Sequence, residues 1–237
     1  MALSLSIILP VLNESGLIQS QLQKLQPLRE QGAEIIVVDG GSTDDSARLA
    51  SGLADRVITS EAGRARQMNA GAEQASREWL LFLHIDTTLP ASMPNIVMAW
   101  DFSHATWGFF NVRLDGEPLV YKVLSWFINR RSYYSGVGTG DQCLFVRRDV
   151  FSDIGGYSDI PLMEDIELCK RLKKKARPLI VVSKATTSAR KWQREGVWRT
   201  VFLMWRLRLA YFFGADPHQL AQKYYDRKYD QAGDKGL

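Results

Sequence analysis

The chain has 237 residues, a length that supports one sizeable globular domain with an appendage. Hydrophobic residues make up 46% and charged residues 24%, which excludes a disordered chain. The net charge of +4 suits an anionic substrate, a nucleic acid or an anionic membrane surface, and does not choose among them. Cys143 and Cys169 form no CxxC pair, so we expect reduced thiols in a cytoplasmic protein.

The first half of the chain alternates between strand and helix patterns. Strands are predicted at 5–11, 33–41, 56–60 and 78–86, and helices at 14–30, 42–54 and 63–76. This alternation predicts a parallel sheet with right-handed crossovers. No Lys or Arg precedes the first apolar run, so we expect a strand there and no signal peptide.

The second half is less regular. Strands are predicted at 106–114 and 179–185, helices at 119–131 and 161–178, and a glycine-rich loop leading into a strand at 132–151. From Trp198 onward the pattern is helical and aromatic. We therefore expect one domain over residues 1–194 and a helical tail over 195–237. Because no run of 18 uncharged apolar residues occurs, we expect no membrane-spanning helix.

Polar residues follow three predicted strands at the points where these strands end. Asn13 and Glu14 follow the first strand, Asp39 ends the second, and His84 and Asp86 end the fourth. In a parallel sheet these groups share the carboxyl edge, where open α/β sheets bind ligands. Side chains two residues apart on a strand also share one face. Each residue alone still allows a structural role, as a turn former, a helix cap, a first-turn helix residue or a semi-buried histidine.

Carboxylates at such an edge can ligate a hard divalent cation, which would bridge a phosphate-bearing substrate. Arg64 and Arg66 lie at a predicted helix start, where cations and free N–H groups favour anions, although a solvated basic turn is the alternative. Glu164 and Asp165 begin another helix, after a loop with two glycines and a proline. A carboxylate there can take a proton from a hydroxyl, or can simply complement the helix dipole.

Four segments, in their order and spacing, resemble the family-2 inverting glycosyltransferases: SIILPVLNE, IIVVDGGSTDDS, FLHIDTTLP and GGYSDIPLMEDIELCKRLK. The resemblance covers about Ser6 to Trp192 and is strongest to a compact bacterial subgroup. It implies a GT-A type α/β fold, in which a mostly parallel sheet is flanked by helices. A Rossmann-like nucleotide-binding half would be joined to an acceptor half, with a C-terminal helical tail.

The resemblance also implies roles for the donor side of the site. Asp39 would contact the nucleotide base, Glu14 would lie near base and ribose, and Asp86 would hold a Mg²⁺ or Mn²⁺ ion at the donor diphosphate. His84 departs from the family pattern, which has Asp at that position, and we expect it to meet ribose hydroxyls. The predicted donor-binding set is completed by residues on the same edge: Pro10, Asn13, Arg64 and Arg66.

On the acceptor side, the resemblance implies that Asp165 is the general base, and we group Glu164 with it as catalytic. Trp192 resembles a late aromatic residue near the acceptor, although a packing role fits equally well. Asp141 and Gln142 are hydrogen-bonding candidates for the acceptor. They end the glycine-rich loop 132–142, which either closes over the donor or is a plain connector.

The predicted function is transfer of a sugar from a UDP- or GDP-type donor to an acceptor hydroxyl, with inversion and with help from a metal. One alternative is a nucleotidyltransferase that makes the sugar nucleotide, which we expect to carry a glycine-rich phosphate loop directly after the first strand. Another is a non-catalytic membrane- or carbohydrate-binding module on the same fold. Asp39, Asp86 and Asp165 argue against that module. Nucleic acid is not expected as a partner, because basic residues are scattered among acidic ones.

The tail segment 197–214 is nearly all apolar or aromatic but contains three arginines. An interfacial helix tolerates both features, because arginine side chains can reach lipid headgroups. The alternative is that the helix packs on its own sheet or on a second subunit of a homo-oligomer. We expect peripheral attachment to the cytoplasmic membrane face, with a lipid or lipid-linked acceptor.

Overall fold

A central β-sheet organises the computed structural model, which describes residues 2–101 and 104–224. Within those residues the sheet has eight strands in the order β3-β2-β1-β4-β7-β6-β8-β5. The strands are β1 (Leu5–Val11), β2 (Glu34–Asp39), β3 (Arg56–Thr59), β4 (Trp79–Phe82), β5 (Thr87–Thr88), β6 (Trp107–Leu114), β7 (Phe145–Arg147) and β8 (Leu179–Thr187).

Helices connect these strands and cover the sheet. They are α1 (Ser15–Glu30), α2 (Ser46–Ala50), α3 (Arg64–Gln74), α4 (Met93–Asp101), α5 (Leu119–Ser135), α6 (Arg148–Asp153), α7 (Glu164–Lys175), α8 (Arg190–Glu195) and α9 (Val197–Phe212). A 3-10 turn, Gly140–Gln142, precedes β7. The end of the predicted tail, residues 225–237, lies outside the described residues.

The parallel arrangement predicted for the first half is confirmed. Strand β1 pairs in parallel with β2 and β4, and β2 pairs in parallel with β3. In the second half β6 and β8 are parallel, whereas β7 runs antiparallel to both β4 and β6. The sheet is therefore mixed beyond β4. The boundaries of several predicted elements also change. Helix α2 begins only at Ser46, β4 already ends at Phe82, and residues 148–151, expected to continue a strand, begin helix α6 instead.

Both faces of the sheet are buried, which explains the continuous apolar run in β2. Ile35 and Val37 face one core, together with α1 and α4, and Ile36 and Val38 face a second core, together with α3, α6 and α7. Helix α3 lies very close to the sheet, because a Cβ atom on Gly71 would be 2.4 Å from the Ile8 Cγ2 methyl. The small residues of α3 permit this approach.

The side of the tail helix α9 that carries Leu207 packs on the rest of the described chain. Leu207 joins a cluster with Met163, at the start of α7, and with Leu220. Helix α8 crosses the expected domain boundary at residue 194, so the division of the chain at that point stays a prediction. Within residues 2–101 and 104–224, no helix combines the length and the hydrophobicity needed to span a membrane.

Candidate active site

The order of the strands creates a crevice at one edge of the sheet. From β1 the chain proceeds to β2 and β3, and then returns to β4 on the opposite side of β1. Connections that leave adjacent parallel strands in opposite directions open a gap at their carboxyl ends, and ligands bind in such gaps. Asn13 and Glu14 follow β1 and His84 and Asp86 follow β4, so the structure brings the predicted donor-side residues to this gap.

Asp39, the last residue of β2, has one carboxylate oxygen with hydrogen-bond partners and one without a partner among the described residues. Its Oδ2 atom accepts hydrogen bonds from the backbone N–H groups of Gly41, at 3.2 Å, and Ser42, at 3.0 Å. Its Oδ1 atom is buried and has no hydrogen-bond partner among the described residues. A buried acceptor without a donor is costly, so this oxygen indicates a place for an N–H or O–H group of a ligand.

The loops that follow β1 and β2 are tied together beside Asp39. Asn13 adopts a left-handed backbone conformation, with φ 54°, and its Oδ1 atom accepts a hydrogen bond from Thr43 N at 2.8 Å. The N–H group of Glu14 donates to Ser46 Oγ at 2.7 Å. These bonds give Asn13 a structural role at the crevice and orient Glu14. Pro10 lies within β1, where it is only partly buried.

Charges of both signs gather around Glu14. Partial burial raises its pKa, the negative charge of Asp86 raises it further, and Arg190 and Arg64 oppose this effect. Arg64, at the start of α3, is thus within electrostatic range of Glu14. Arg190, at the start of α8, was not predicted to be a site residue. Its position depends on the end of β8, where Ser188 N donates to the backbone oxygen of Asp86 at 3.1 Å.

The donor set of this region suits a hard divalent cation that completes its shell with ligand oxygens. Among the described residues, no group of three or more His, Cys, Asp or Glu side chains is arranged to hold a metal by itself. Asp86 is only partly buried and carries a second carboxylate, Glu14, within electrostatic range. Mg²⁺ is commonly held by one or two carboxylates together with substrate phosphates, so these residues fit the predicted ion.

His84 connects the donor side with the loop that follows α5. Its side chain is 12% exposed, and its Nδ1 atom lies 3.1 Å from Asp141 Oδ1. Although β4 ends two residues earlier, burial still alternates: Leu83 and Ile85 are buried, whereas His84 and Asp86 are partly exposed. A Cβ atom on Gly140 would lie against the His84 ring, so a larger residue there would have to displace the ring or the loop.

Asp165 lies at the start of α7. It is bound by Gly140, the loop residue directly before Asp141, which is the partner of His84. Its Oδ2 atom accepts a hydrogen bond from Gly140 N at 2.9 Å, and its Oδ1 atom accepts one from Ile166 N at 2.7 Å. Burial raises the Asp165 pKa, and these two N–H donors oppose the rise. The backbone of Met163 is left-handed, with φ 69°, where the chain turns into the helix.

Glu164 is more deeply buried than its neighbour, at 7% exposure. Burial first, and the negative charge of Asp165 second, raise the pKa of Glu164 to about 7. Two adjacent carboxylates in a poorly solvated site resist losing both protons, so they titrate as a pair. The Glu164 carboxyl group therefore changes its charge near neutral pH, which is the range that suits proton transfer.

Two predicted acceptor-side residues, Gln142 and Trp192, have packing positions in the structure. Gln142 is fully buried: its Oε1 atom accepts from Ser132 Oγ at 2.8 Å, and its Nε2 group donates to Phe110 O at 3.2 Å. It therefore anchors the loop from behind and does not face an acceptor. Trp192 packs in a cluster with Leu114 and Tyr121, which is the packing role left open above.

The predicted anion contact Arg66 is engaged by carboxylates of the protein. Its guanidinium group lies 2.6 Å from Glu61 and 2.9 Å from Asp159. These ion pairs join the start of α3 to the loop before α7. Arg64, two residues earlier, lies close enough to Glu14, Glu164 and Asp165 for its positive charge to oppose the rise in the pKa of each carboxyl group.

Arg131 is a second residue near the site that the sequence pattern did not reveal. It lies on α5, where burial lowers its pKa and the charges of Asp165 and Asp141 oppose that effect. Its Nη2 group donates to Ser132 Oγ at 2.9 Å. An arginine within a helical pattern gives no local sign that it lies near a site. Asp141 and Asp165 come close to Arg131 only through tertiary contacts.

Comparison with solved structures defines the fold class. S. aureus TarS in complex with UDP superposes with a TM-score of 0.64 at 18% identity, covering 79% of this chain and 60% of that chain. The mannosyltransferase PcManGT from Pyrobaculum calidifontis, in complex with GDP-Man and Mn²⁺, gives 0.60 at 19% identity and covers 89% of this chain and 61% of that one. The predicted GT-A type α/β fold is thereby confirmed.

The family follows from the sequence itself. The model of glycosyl transferase family 2 matches residues 6–155, more than half of the chain, and the protein belongs to this family. A PGL/p-HBAD biosynthesis glycosyltransferase of Mycobacterium bovis is 34% identical over 173 residues. That alignment covers 65% of this chain and 62% of the relative, so the chain spans less than two thirds of the length of the protein it matches.

Proposed function

We propose that the protein transfers a sugar from a nucleotide-diphosphate donor to an acceptor hydroxyl. The observation that carries this proposal is the short connection between the two halves of the crevice. Asp165 and His84 are bound by neighbouring residues, Gly140 and Asp141, of a single loop. This arrangement supports a proton acceptor, Asp165, beside the gap in which Asp39, Glu14 and Asp86 would hold a donor.

The donor is proposed to be a UDP- or GDP-sugar. The unpartnered Oδ1 of Asp39 suits an N–H group of the nucleobase, and the partly exposed His84 suits a ribose hydroxyl. The related structures named above contain UDP in one case and GDP-Man in the other. Arg64 and Arg190, which lie near Glu14, would add positive charge where the diphosphate carries negative charge.

A divalent cation, Mg²⁺ or Mn²⁺, is proposed to be held by Asp86 with Glu14 nearby. When bound, such an ion offsets the negative charge that grows on the departing diphosphate. The P. calidifontis mannosyltransferase structure contains Mn²⁺, and a structure of glucosyl-3-phosphoglycerate synthase from Mycobacterium tuberculosis contains Mg²⁺ and UDP.

Asp165 is proposed to act as the general base. It would take the proton of the acceptor hydroxyl while that oxygen forms its bond to the anomeric carbon, on the face opposite to the breaking bond to the diphosphate. One displacement without a protein nucleophile inverts the configuration. The two N–H donors on Asp165 would fix the direction of its carboxylate and favour its ionised form, whereas burial favours a protonated Glu164.

The test combines donor binding with turnover. UDP- and GDP-sugars are screened for thermal stabilisation in the presence of Mn²⁺, where a donor at 100 times its Kd should stabilise the fold by about 2.7 kcal/mol. Asp165→Asn should keep that stabilisation but lose about 10²–10⁴-fold in transfer, or in donor hydrolysis, measured with a cell extract as the acceptor source. Glu30→Gln, at an exposed carboxylate that ends α1 near the start of β1, is the control. Near-normal turnover by Asp165→Asn removes this residue from the mechanism.

The expected location, cytoplasmic and peripheral to a membrane, stays a prediction.

A further inference from the structure

Helix α9 exposes a continuous apolar stripe along its whole length. The stripe consists of five large side chains at intervals of three and four residues, each 59–76% exposed: Trp198, Phe202, Trp205, Leu209 and Phe212. At about 100° per residue these positions fall on one face of the helix. Soluble proteins rarely expose so large a contiguous apolar surface, and those that do use it to bind a partner or a membrane.

Basic residues border this stripe on both sides. With the centre of the stripe as reference, Arg199 and Arg206 lie about a quarter turn to one side, and Arg208 lies about a quarter turn to the other. Helix α9 contains no acidic residue in its sequence, Val197–Phe212. Aromatic side chains flanked by arginine match the boundary of a membrane, where the rings enter the acyl region and the guanidinium groups meet anionic headgroups.

Helix α5 adds a second surface of the same kind. Trp126 and Phe127 are each 57% exposed, and the Arg130 guanidinium carbon lies 5.0 Å from the centroid of the Tyr134 ring. The buried side of α5, at Leu124, packs into one cluster with Val197 and Val201 at the start of α9. The two helices are therefore neighbours, and α5 also contains no acidic residue.

The opposite face of α9 is fastened to the segment that carries the proposed base. Leu207 is buried in a cluster with Met163, and Ile166 packs against the same cluster. Met163 and Ile166 flank Glu164 and Asp165 directly in the sequence. A surface that docks through the stripe would thus lie close to the acceptor side of the crevice.

We propose that α9, with α5 beside it, docks in the plane of an anionic membrane, and that the acceptor hydroxyl belongs to an amphiphile in that membrane. The acceptor part of this inference rests on the proposed function. A second copy of the chain fits the stripe less well. A two-fold contact between identical stripes would bring arginine borders together, with no acidic residue on α9 to pair with them.

Docking is tested by co-sedimentation of the full chain with phosphatidylcholine vesicles, with and without phosphatidylglycerol, at low and high salt. We expect binding to the anionic vesicles that weakens with salt. Trp198→Ser/Trp205→Ser should reduce binding at least tenfold, and Arg199→Gln/Arg206→Gln should remove the preference for anionic lipid. Lys174→Gln/Lys175→Gln removes two exposed positive charges on α7 and should bind like the wild type.

Three outcomes overturn the docking surface. The full chain stays in the supernatant with anionic vesicles at low salt, or the tryptophan variant still binds, or light scattering shows a dimer that the tryptophan variant dissociates. The tryptophan variant should keep the donor-induced thermal shift, which shows that it is folded.

The acceptor class has its own measurement. Labelled sugar from the active donor should be recovered in the organic phase when vesicles of a total bacterial lipid extract are supplied. Label that remains in the aqueous phase, although donor binding and vesicle binding are both intact, overturns the membrane acceptor. If no nucleotide sugar stabilises the protein, the proposed function fails while the docking result stands on its own.

Discussion

At the scale of single residues, His84 and Asp86 follow β4 and are proposed to have different roles toward the donor. Asp86 is a partly exposed carboxylate beside Glu14, whereas His84 is held by Asp141. A carboxylate is the better ligand for Mg²⁺ or Mn²⁺, and imidazole can both donate to and accept from sugar hydroxyls.

We therefore predict that Asp86→Ala loses the metal dependence of donor binding, while His84→Ala weakens donor binding but keeps that dependence. Calorimetric titration of donor into each variant, with and without Mn²⁺, makes the comparison. The assignment is reversed if His84→Ala abolishes the effect of Mn²⁺ and Asp86→Ala preserves it.

At the scale of elements, the loop between α5 and β7 holds Asp165, the proposed base. Gln142 fixes its end to Ser132 and to Phe110, and Gly140 presents its N–H group to Asp165. The His84 ring occupies the place that a Cβ atom on Gly140 would take. The loop was expected to cover the donor or to be a plain connector. Its contacts in the structure belong to the base and to His84.

Gly140→Ala should therefore impair turnover without unfolding the protein. The added methyl group must displace either the loop or the His84 ring, and a shift of about 1 Å at a reacting group can cost about 10²-fold in rate. Loss of the Gly140 N–H bond should also raise the Asp165 pKa, so the acidic limb of the pH–rate profile should move to higher pH. Gly16→Ala is the control, because a methyl group added there on α1 would meet no neighbour within 4 Å among the described residues. Unchanged kinetics in Gly140→Ala exclude the loop from positioning the base.

At the scale of the whole molecule, the buried Glu164 couples stability to pH. Its pKa is raised from 4.5 to about 7 in the folded chain. Between those values the folded protein keeps a proton that the unfolded chain releases, so the contribution of Glu164 to stability declines as pH rises through about 7.

Glu164→Gln should abolish that decline. Urea unfolding at about pH 5 and about pH 8 should show the wild type losing on the order of 1–3 kcal/mol more than the variant over this interval. Equal losses in both proteins contradict a protonated, buried Glu164.

The parts of this molecule that were predictable are those set by local pattern. Buried parallel strands appear as apolar runs, and polar residues at their ends mark the carboxyl edge of the sheet, as with Asp39 and Asp86. Strand β5 was not predicted, because two residues carry no periodicity. Helix α4 was not predicted either, and its sequence, MPNIVMAWD, is mostly apolar and lacks a polar face.

The positions of Arg131, Arg190 and Gln142 depend on contacts between distant segments. Gln142 looks like a surface residue in a glycine-rich stretch, yet the fold buries it against β6 and α5. Arg190 reaches Glu14 only because β8 ends beside Asp86. Such placements follow from tertiary packing, which no local spacing encodes.

Because Gly140 and Asp141 are adjacent, we expect donor binding and acceptor binding to influence each other. Asp141 holds the residue expected to meet the donor, and Gly140 holds the residue expected to activate the acceptor. A donor that contacts the His84 ring would alter the His84–Asp141 contact, and this change would reach the Asp165 carboxylate through a single peptide unit. In steady-state terms, donor and acceptor should not bind independently: saturation with one should alter the apparent KM for the other.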